Sequence, residues 1–211
     1  PEVGVKLGLT DPVCGLNMGE TAEILAKEFA ITRREQDEFA LMSHKRTIAA
    51  RAKLREEIVP VVLAPKYEQV AEEDNGPRPN QKIEDLEKLK PIFDRYTGSV
   101  TAGNSSQITD GACALLVMKE ERAKELNFNP LGYIRAYTYV GLEPSHMGMG
   151  PAYAIPWALK KAGVNLTDIG LIEINEAFAV QVLASLKALG SREFASKNFG
   201  LVQAIGEINT N

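Results

Sequence analysis

Apolar runs of strand length constrain the fold of this 211-residue chain more than any other feature. The run "ACALLVM" (112–118) is apolar throughout, and "DIGLIEI" (168–174) is apolar around a single internal glutamate. Runs of this kind are typical of strands that are covered on both faces of a sheet. Each run is followed by a segment with helical character, and this alternation predicts an α/β layer architecture.

The part of the chain up to about Phe93 is helix-rich and densely charged. Thr32 to Glu35 fits a capping box, which predicts a helix through "EQDEFALMSHKRTIAARAKL". The segment "EIVPVVL" (57–63) is interpreted as an edge or bent strand because it contains Pro60. The segment 72–80 is the strongest loop signal, and a short helix is expected to end before Pro91.

The second part of the chain is predicted to contain further strands. These are "GSVTAGNSS" (98–106), which runs into a polar turn, and "GYIRAYTYVGL" (132–142). The segment "AYAIPWALKKAG" is a predicted helix with Gly163 as its C-cap, and Pro156 is expected to bend that helix or shift its start.

Composition and charge exclude several classes of protein. A formal net charge of -4 and a pI of about 5.4 argue against a broad nucleic-acid surface. No apolar stretch approaches the roughly 20 residues that span a bilayer, so we expect no transmembrane segment. Two cysteines give no disulfide framework and favour a reducing compartment. Because the chain begins at Pro1 and ends with "GEINTN", we expect it to be a piece of a longer protein.

The sequence contains no standard nucleophile, phosphate-loop or metal motif. His44 and His146 are interpreted as surface or structural histidines, and Cys113 as an inert buried thiol within an apolar strand. Cys14 lies among glycines and polar groups, and a structural role is favoured for it as well. Asn175 follows a strand-like run, so it either caps the next helix or lies where chemistry takes place.

Three turns rich in small residues are candidates for the wall of one elongated site. They are "CGLNMGETAE", "VTAGNSSQITDGA" and "SHMGMGP". Small residues let a ligand approach the backbone, and methionine offers adaptable apolar contact.

Four segments carry a resemblance to a known family. In chain order they are "NMGETAEILAKEFAITRREQDEFALMSH", "VTAGNSSQITDGACALLVM", "MGMGPAYAIPWAL" and "NEAFA", and they resemble the thiolases along essentially the whole chain. The resemblance implies an incomplete thiolase fold, layered α/β/α/β/α, with an α-rich loop domain at 1–107 that binds CoA. Residues 108–211 would then be the front of the C-terminal half.

The resemblance implies acyl transfer between 3-ketoacyl-CoA and CoA by an acetyl-CoA C-acyltransferase of fatty-acid β-oxidation. Thiolases use a nucleophilic cysteine activated by a histidine, and a second cysteine that exchanges a proton. Neither Cys14 nor Cys113 matches these motifs, so the chain alone is expected to be inactive. Asn175 corresponds to the asparagine that holds a water in an oxyanion hole.

The resemblance also implies the residues that contact CoA and the acyl group, although some of them have plain structural alternatives. Leu89, Phe93 and Phe178 fit core positions equally well, Arg78 fits a solvated loop, and Ser106 fits a turn cap. Asn17 and Asp85 depart from the histidine and serine of many relatives. The implied contacts are Leu9, Met18, Arg78, Leu89, Phe93, Ser106, Met147 and Phe178.

The expected partners and compartment follow from the same resemblance. No tightly bound cofactor is expected, since coenzyme A and acyl-CoA are substrates, and no metal is expected. The intact protein would be a homodimer or homotetramer, with a β-oxidation multienzyme partner as a further possibility. A bacterial cytoplasmic location is favoured over the mitochondrial matrix. The alternative hypothesis is a non-catalytic thiolase-like protein that binds acyl-CoA or has a structural role.

Overall fold

The computed structural model describes residues 8–208, which form helices of varied length and one small sheet. The elements are α1 (Met18–Glu28), α2 (Arg33–Leu54), β1 (Val61–Val62), β2 (Val70–Ala71), α3 (Ile83–Glu87), α4 (Glu120–Glu125), a 3₁₀ helix (Pro144–Met149), α5 (Gly150–Ala162), a second 3₁₀ helix (Leu166–Asp168), α6 (Ala179–Leu189) and α7 (Arg192–Phe199).

The first two helices begin where the sequence provides caps. The predicted capping box at Thr32 and Glu35 is confirmed, because each side chain accepts a hydrogen bond from the other residue's backbone N–H at the start of α2. Asn17 and Glu20 make the same reciprocal pair at the start of α1. Side-chain caps satisfy backbone donors that would otherwise lack partners, so these sequences fix where the two helices begin.

Helix α6 is the centre of the hydrophobic core. It packs against α1, α2, α5, α7 and the first 3₁₀ helix. On one side Val180 and Leu189 join Leu25 of α1 in a cluster from which water is excluded. On another side Ala179 and Val182 contact Phe39 of α2. Burial of apolar surface drives this packing, so the segment that follows Asn175 is held by several elements.

Several sequence-level expectations about helices and loops are confirmed. Helix α5 extends to Ala162, and Gly163 closes it with a positive φ of 67°. The helix continues through Pro156, so the proline does not shift the start of the helix at Gly150. The region 72–80 contains neither helix nor strand, and α3 ends before Pro91. The segment 57–63 contributes only β1, which pairs antiparallel with β2.

The predicted strands at 98–106, 112–118, 132–142 and 168–174 are wrong as secondary structure. Within residues 8–208 none of these segments forms a strand, and Leu115 and Leu116 are 84% and 77% exposed. A strand needs a partner that accepts and donates its backbone hydrogen bonds. The apolar pattern shows that these segments are suited to burial in a sheet. They do not form strands because the described part of the chain supplies no partner strand for them.

No helix within residues 8–208 combines the length and apolar character needed to span a membrane.

Candidate functional site

Two turns that carry predicted site residues are joined by backbone hydrogen bonds. The Ser106 N–H donates to the carbonyl oxygen of Ala177 at 2.8 Å, and the Ala179 N–H donates to that of Asn104 at 2.9 Å. Ser105 and Phe178 form an antiparallel bridge between these bonds. We call residues 104–106 with 177–179 the turn junction, since it places Ser106 next to the segment that contains Asn175 and Phe178.

The side chain of Asn104 fixes the first turn of the junction. Its side-chain oxygen accepts the Thr101 N–H at 2.8 Å, and its Nδ2 donates to Asp37 Oδ1 at 3.0 Å and to the Ser99 carbonyl at 3.1 Å. Asp37 lies on α2, is fully buried and pairs with Arg33 at 2.7 Å. A buried carboxylate is tolerated when it is paired and hydrogen-bonded, so this network fixes the turn against α2.

Glu23 of α1 holds the approach to the same turn. Its carboxylate is buried and accepts the backbone N–H groups of Ser99 and Val100 at 2.9–3.0 Å, together with the Ser99 hydroxyl at 3.3 Å. Backbone N–H groups bound by a charged carboxylate make strong hydrogen bonds. The turn is therefore anchored to both α1 and α2.

Phe93 and Phe178 form the aromatic part of the candidate site. Their rings meet edge to face with centroids 6.2 Å apart, and both rings also pack against the main core. Phe93 lies directly over Gly19, the neighbour of Met18. Met18 and Leu89 are each 36% exposed, so part of both side chains is available to a ligand.

The turn that follows Phe93 is closed by Asp94. The Thr97 hydroxyl and N–H, followed by Lys27, hold the pKa of the Asp94 carboxyl well below its usual range. The Lys27 ammonium lies 3.0 Å from that carboxylate, so α1 is tied to the end of the segment that carries Phe93.

Arg78 lies in an exposed loop, and its backbone N–H donates to His44 Nδ1 on α2 at 3.2 Å. Burial, followed by the positive charge of Arg78, lowers the pKa of His44, and Glu176 opposes this shift. The Ser43 hydroxyl donates to the Glu176 carboxylate at 2.5 Å. One turn of α2 therefore contacts both the Arg78 loop and the residue next to Asn175.

Asn175 does not cap the following helix. The N-cap of α6 is Phe178, which has no side-chain cap, and Asn175 lies three residues earlier. Its side chain is exposed and makes no hydrogen bond within residues 8–208. The capping interpretation is therefore wrong, whereas the amide remains available to a water or a ligand.

Leu9 and Met147 lie on segments outside the turn junction. A bridge between Thr10 and Asn17 brings Leu9 beside Met18 at the start of α1. Met147, on the first 3₁₀ helix, is 47% exposed, and its neighbour Gly148 packs against Leu25 and Gln181. The structure thus unites Ser106, Phe178, Phe93 and Arg78 through direct contacts or shared neighbours, while Leu9 adjoins the start of α1 and the segment of Met147 packs on α6.

The structure contradicts the expectation for Cys113 and agrees with the one for His146. Cys113 is exposed and lies outside any strand, so its interpretation as a buried thiol is wrong because the strand that would bury it does not form. His146 is confirmed as structural, since its Nε2 hydrogen-bonds the Glu28 carboxylate at 2.9 Å. Within the described residues no group of three or more His, Cys, Asp or Glu side chains is arranged to hold a metal ion.

The sequence interpretation missed the polar residues that support the site. Glu23 lies among the apolar residues of "TAEILA", where a charge on a largely buried helix was a detectable signal. Asp37 and Asn104 carried no such signal, because they are 67 positions apart in the sequence and nothing local indicates their pairing.

Comparison with known proteins gives the family. Residues 2–121 match the N-terminal domain of thiolase, and residues 128–207 match its C-terminal domain. A 3-ketoacyl-CoA thiolase of Photobacterium profundum is 49% identical over 201 residues, which are 92% of this chain and 45% of that protein. The chain thus spans about half the length of the curated relatives it matches.

Solved structures agree with this assignment. Human mitochondrial 3-ketoacyl-CoA thiolase superposes with a TM-score of 0.84 at 41% identity, covering 96% of this chain and 51% of that one. The same human protein in complex with CoA gives 0.82 at 40% identity, covering 96% and 52%. The dimeric peroxisomal thiolase of Saccharomyces cerevisiae gives 0.80 at 41%, covering 84% and 45%.

The chain belongs to the thiolase family. The predicted fold class, an incomplete thiolase fold, is confirmed by these structures, even though the strands predicted at 98–106, 112–118, 132–142 and 168–174 do not form within residues 8–208.

Proposed function

We propose that this chain is the CoA-binding part of an acetyl-CoA C-acyltransferase that acts on 3-ketoacyl-CoA in fatty-acid β-oxidation. The observation that carries the proposal is the turn junction. It places Ser106 and Phe178 side by side, brings Phe93 against Phe178, and connects through α2 to Arg78. A hydroxyl, an aromatic pair and a cation held by one frame suit a ligand with an amide arm, an apolar acyl group and phosphates.

The proposed division of labour follows the residues. Ser106 contacts the pantetheine, Leu89 the adenine, and Arg78 the nucleotide phosphates, for which a guanidinium is a strong partner. Leu9 and Met18 line the first turn, and Met147 and Phe178 the acyl end. The resemblance places Phe93 at the adenine, but its ring meets that of Phe178, so we propose Phe93 at the acyl end as well. We propose that residues 1–107 form the loop domain and that residues 108–211 form the front of the C-terminal half. Coenzyme A and acyl-CoA would be substrates, with no tightly bound cofactor.

Asn175 is proposed as the residue that holds a water in an oxyanion hole. Its exposed amide, without a partner in residues 8–208, supports this role. Such a donor acts on charge that develops in the transition state, and losing one typically costs about 10²–10³-fold in rate.

The yeast and bacterial relatives support proposals about assembly and location, respectively. We propose a homodimer or homotetramer, because the yeast relative is described as dimeric. A bacterial cytoplasmic location is proposed because the curated relative described above is bacterial. A β-oxidation multienzyme partner remains a proposal from the resemblance alone.

CoA binding to the 211-residue chain tests the proposal directly. Titration calorimetry is expected to detect CoA binding. Arg78→Ala is expected to lower the affinity for CoA by about tenfold or more, as for a lost charged hydrogen bond. Arg192→Ala, an exposed arginine on α7, is the matched control and should leave affinity unchanged. Absence of CoA binding, or equal losses in both variants, would overturn the proposal.

The same chain should not turn over substrate by itself. Its two cysteines, Cys14 and Cys113, lie outside the motifs in which thiolases carry their nucleophile and proton-exchanging thiol. We expect no thiolysis of acetoacetyl-CoA or longer 3-ketoacyl-CoA above background, measured as loss of substrate absorbance. Turnover that disappears in Cys14→Ser or Cys113→Ser would show that one of these thiols is the nucleophile.

A further inference from the structure

We propose that His44 is a positioning residue for Arg78, and that its ring holds the Arg78 loop against α2 so that the guanidinium is fixed for a phosphate ligand. The inference rests on the proposed CoA-binding function. It concerns a residue that the sequence interpretation assigned to a surface or structural role.

The loop at 73–78 is held at three points. Glu73 pairs with Arg51 of α2 at 3.5 Å and with Arg55, the residue that follows α2. The Gly76 carbonyl accepts a hydrogen bond from Gln107 Nε2 at 3.1 Å. The third point is the Arg78 N–H on His44 Nδ1, which is the only one of the three made by the residue proposed to contact phosphate.

The Gly76 contact ties the loop to the turn junction. A Cβ at this position would lie 2.4 Å from the end of the Gln107 side chain, so the loop backbone and this side chain are in close contact. Gln107 follows Ser106 directly. The loop, His44 and the junction therefore form one frame, in which His44 sets the end that carries Arg78.

Only the ring form with an unprotonated Nδ1 can accept the Arg78 N–H. Two charged groups face His44 from other segments: Arg78, which disfavours the protonated ring, and Glu176, which favours it. On its own helix the neighbours Lys45 and Arg46 are exposed. Burial and Arg78 outweigh Glu176, so the pKa of His44 is lowered and the accepting form is present at neutral pH.

The direction of the pH effect follows from this lowered pKa. Protonation at acidic pH places a proton on Nδ1, removes the acceptor and sets a positive charge against Arg78. The Arg78 contact is therefore complete at neutral pH and is lost as the pH falls through the folded-state pKa of His44.

Three variants of the 211-residue chain test the role. His44→Ala removes the acceptor and is expected to weaken CoA binding at pH 7.5 by about 2- to 10-fold, the range for one hydrogen bond. His44→Asn keeps a side-chain acceptor that does not titrate, so it should restore affinity and lose the decrease that wild type shows as the pH falls through the folded-state pKa of His44. In an Arg78→Ala background, His44→Ala should have no further effect.

A readout that needs no CoA separates this inference from the proposed function. Amide hydrogen exchange at Arg78 should be slow in wild type and His44→Asn at neutral pH, and fast in His44→Ala. If wild type binds no CoA but the exchange follows this pattern, the proposed function fails and the His44 contact stands. Unchanged Arg78 exchange in His44→Ala, or a full additional loss of affinity in the Arg78→Ala background, overturns the positioning role.

Discussion

At the scale of single residues, the site depends on buried polar groups more than on the residues expected to touch a ligand. The backbone hydrogen-bonding groups of the turn from Ser99 to Asn104 find partners in Glu23 and Asn104, and Asn104 is held in turn by Asp37. These groups are costly to bury unless they are paired, so each one specifies the position of its partner. Ser106 and Phe178 owe their places to this network.

Replacing Glu23 tests how far the turn depends on it. In Glu23→Gln one carboxylate oxygen becomes an NH₂ that faces the Ser99 and Val100 N–H donors, and a buried charge-assisted hydrogen bond is lost. We expect the free energy of unfolding to fall by about 1–3 kcal/mol, measured by urea denaturation. Glu38→Gln, at a residue whose side chain is 55% exposed, should change it by less than about 0.5 kcal/mol. Equal effects in the two variants would refute the anchoring role of Glu23.

At the scale of elements, the close approach of α1 to the aromatic pair rests on Gly19. A Cβ at Gly19 would lie 2.1 Å from the Phe93 ring, whereas a Cβ at Gly150 in α5 meets no atom within 4 Å. Glycine in a helix is ordinarily less favourable than alanine by about 1 kcal/mol. The packing around Gly19 therefore requires a residue without a Cβ, whereas the packing around Gly150 does not.

Different responses to the same substitution are expected at these two sites. Gly150→Ala should change the stability by less than about 0.5 kcal/mol, because the gain in helix propensity is opposed by Pro151, which disfavours a helical backbone for a non-glycine residue before it. Gly19→Ala should destabilise the chain by about 1–3 kcal/mol because Phe93 must move. Thermal unfolding followed by circular dichroism measures both. Gly19→Ala should also alter the near-ultraviolet signal of the packed rings. Stabilisation by Gly19→Ala would contradict the observed packing.

The sequence predicted helices far better than it predicted strands, for a physical reason. A helix such as α2 carries its hydrogen bonds and its capping box within its own sequence, so Thr32 and Glu35 are sufficient to locate its start. A strand depends on a distant partner, and the apolar run at 112–118 contains no information on whether one is present. The same limit applies to the site, because His44 and Arg78 are joined by a contact across 34 residues.

At the scale of the whole molecule, the family comparison and the exposed apolar segments belong together. The main core around α6 is closed, whereas the runs at 112–118 and 132–142 leave large apolar side chains in water. Tyr139 is 90% exposed and Leu116 is 77% exposed. In the described residues, these segments therefore have the apolar character of buried strands and the exposure of a surface.

Such a surface should make the 211-residue chain self-associate. Contiguous apolar segments with unpaired backbone groups favour contact with another copy, so sedimentation velocity is expected to show species larger than the 23.0 kDa monomer at micromolar concentration. The paired substitution Leu116→Lys with Tyr139→Lys should shift the distribution toward monomer. Asn75→Lys with Ser196→Lys adds the same charge at exposed polar positions and should not. A monodisperse wild-type monomer would contradict the expected self-association. Equal shifts in both pairs would show that net charge governs association, because only the first pair removes exposed apolar side chains.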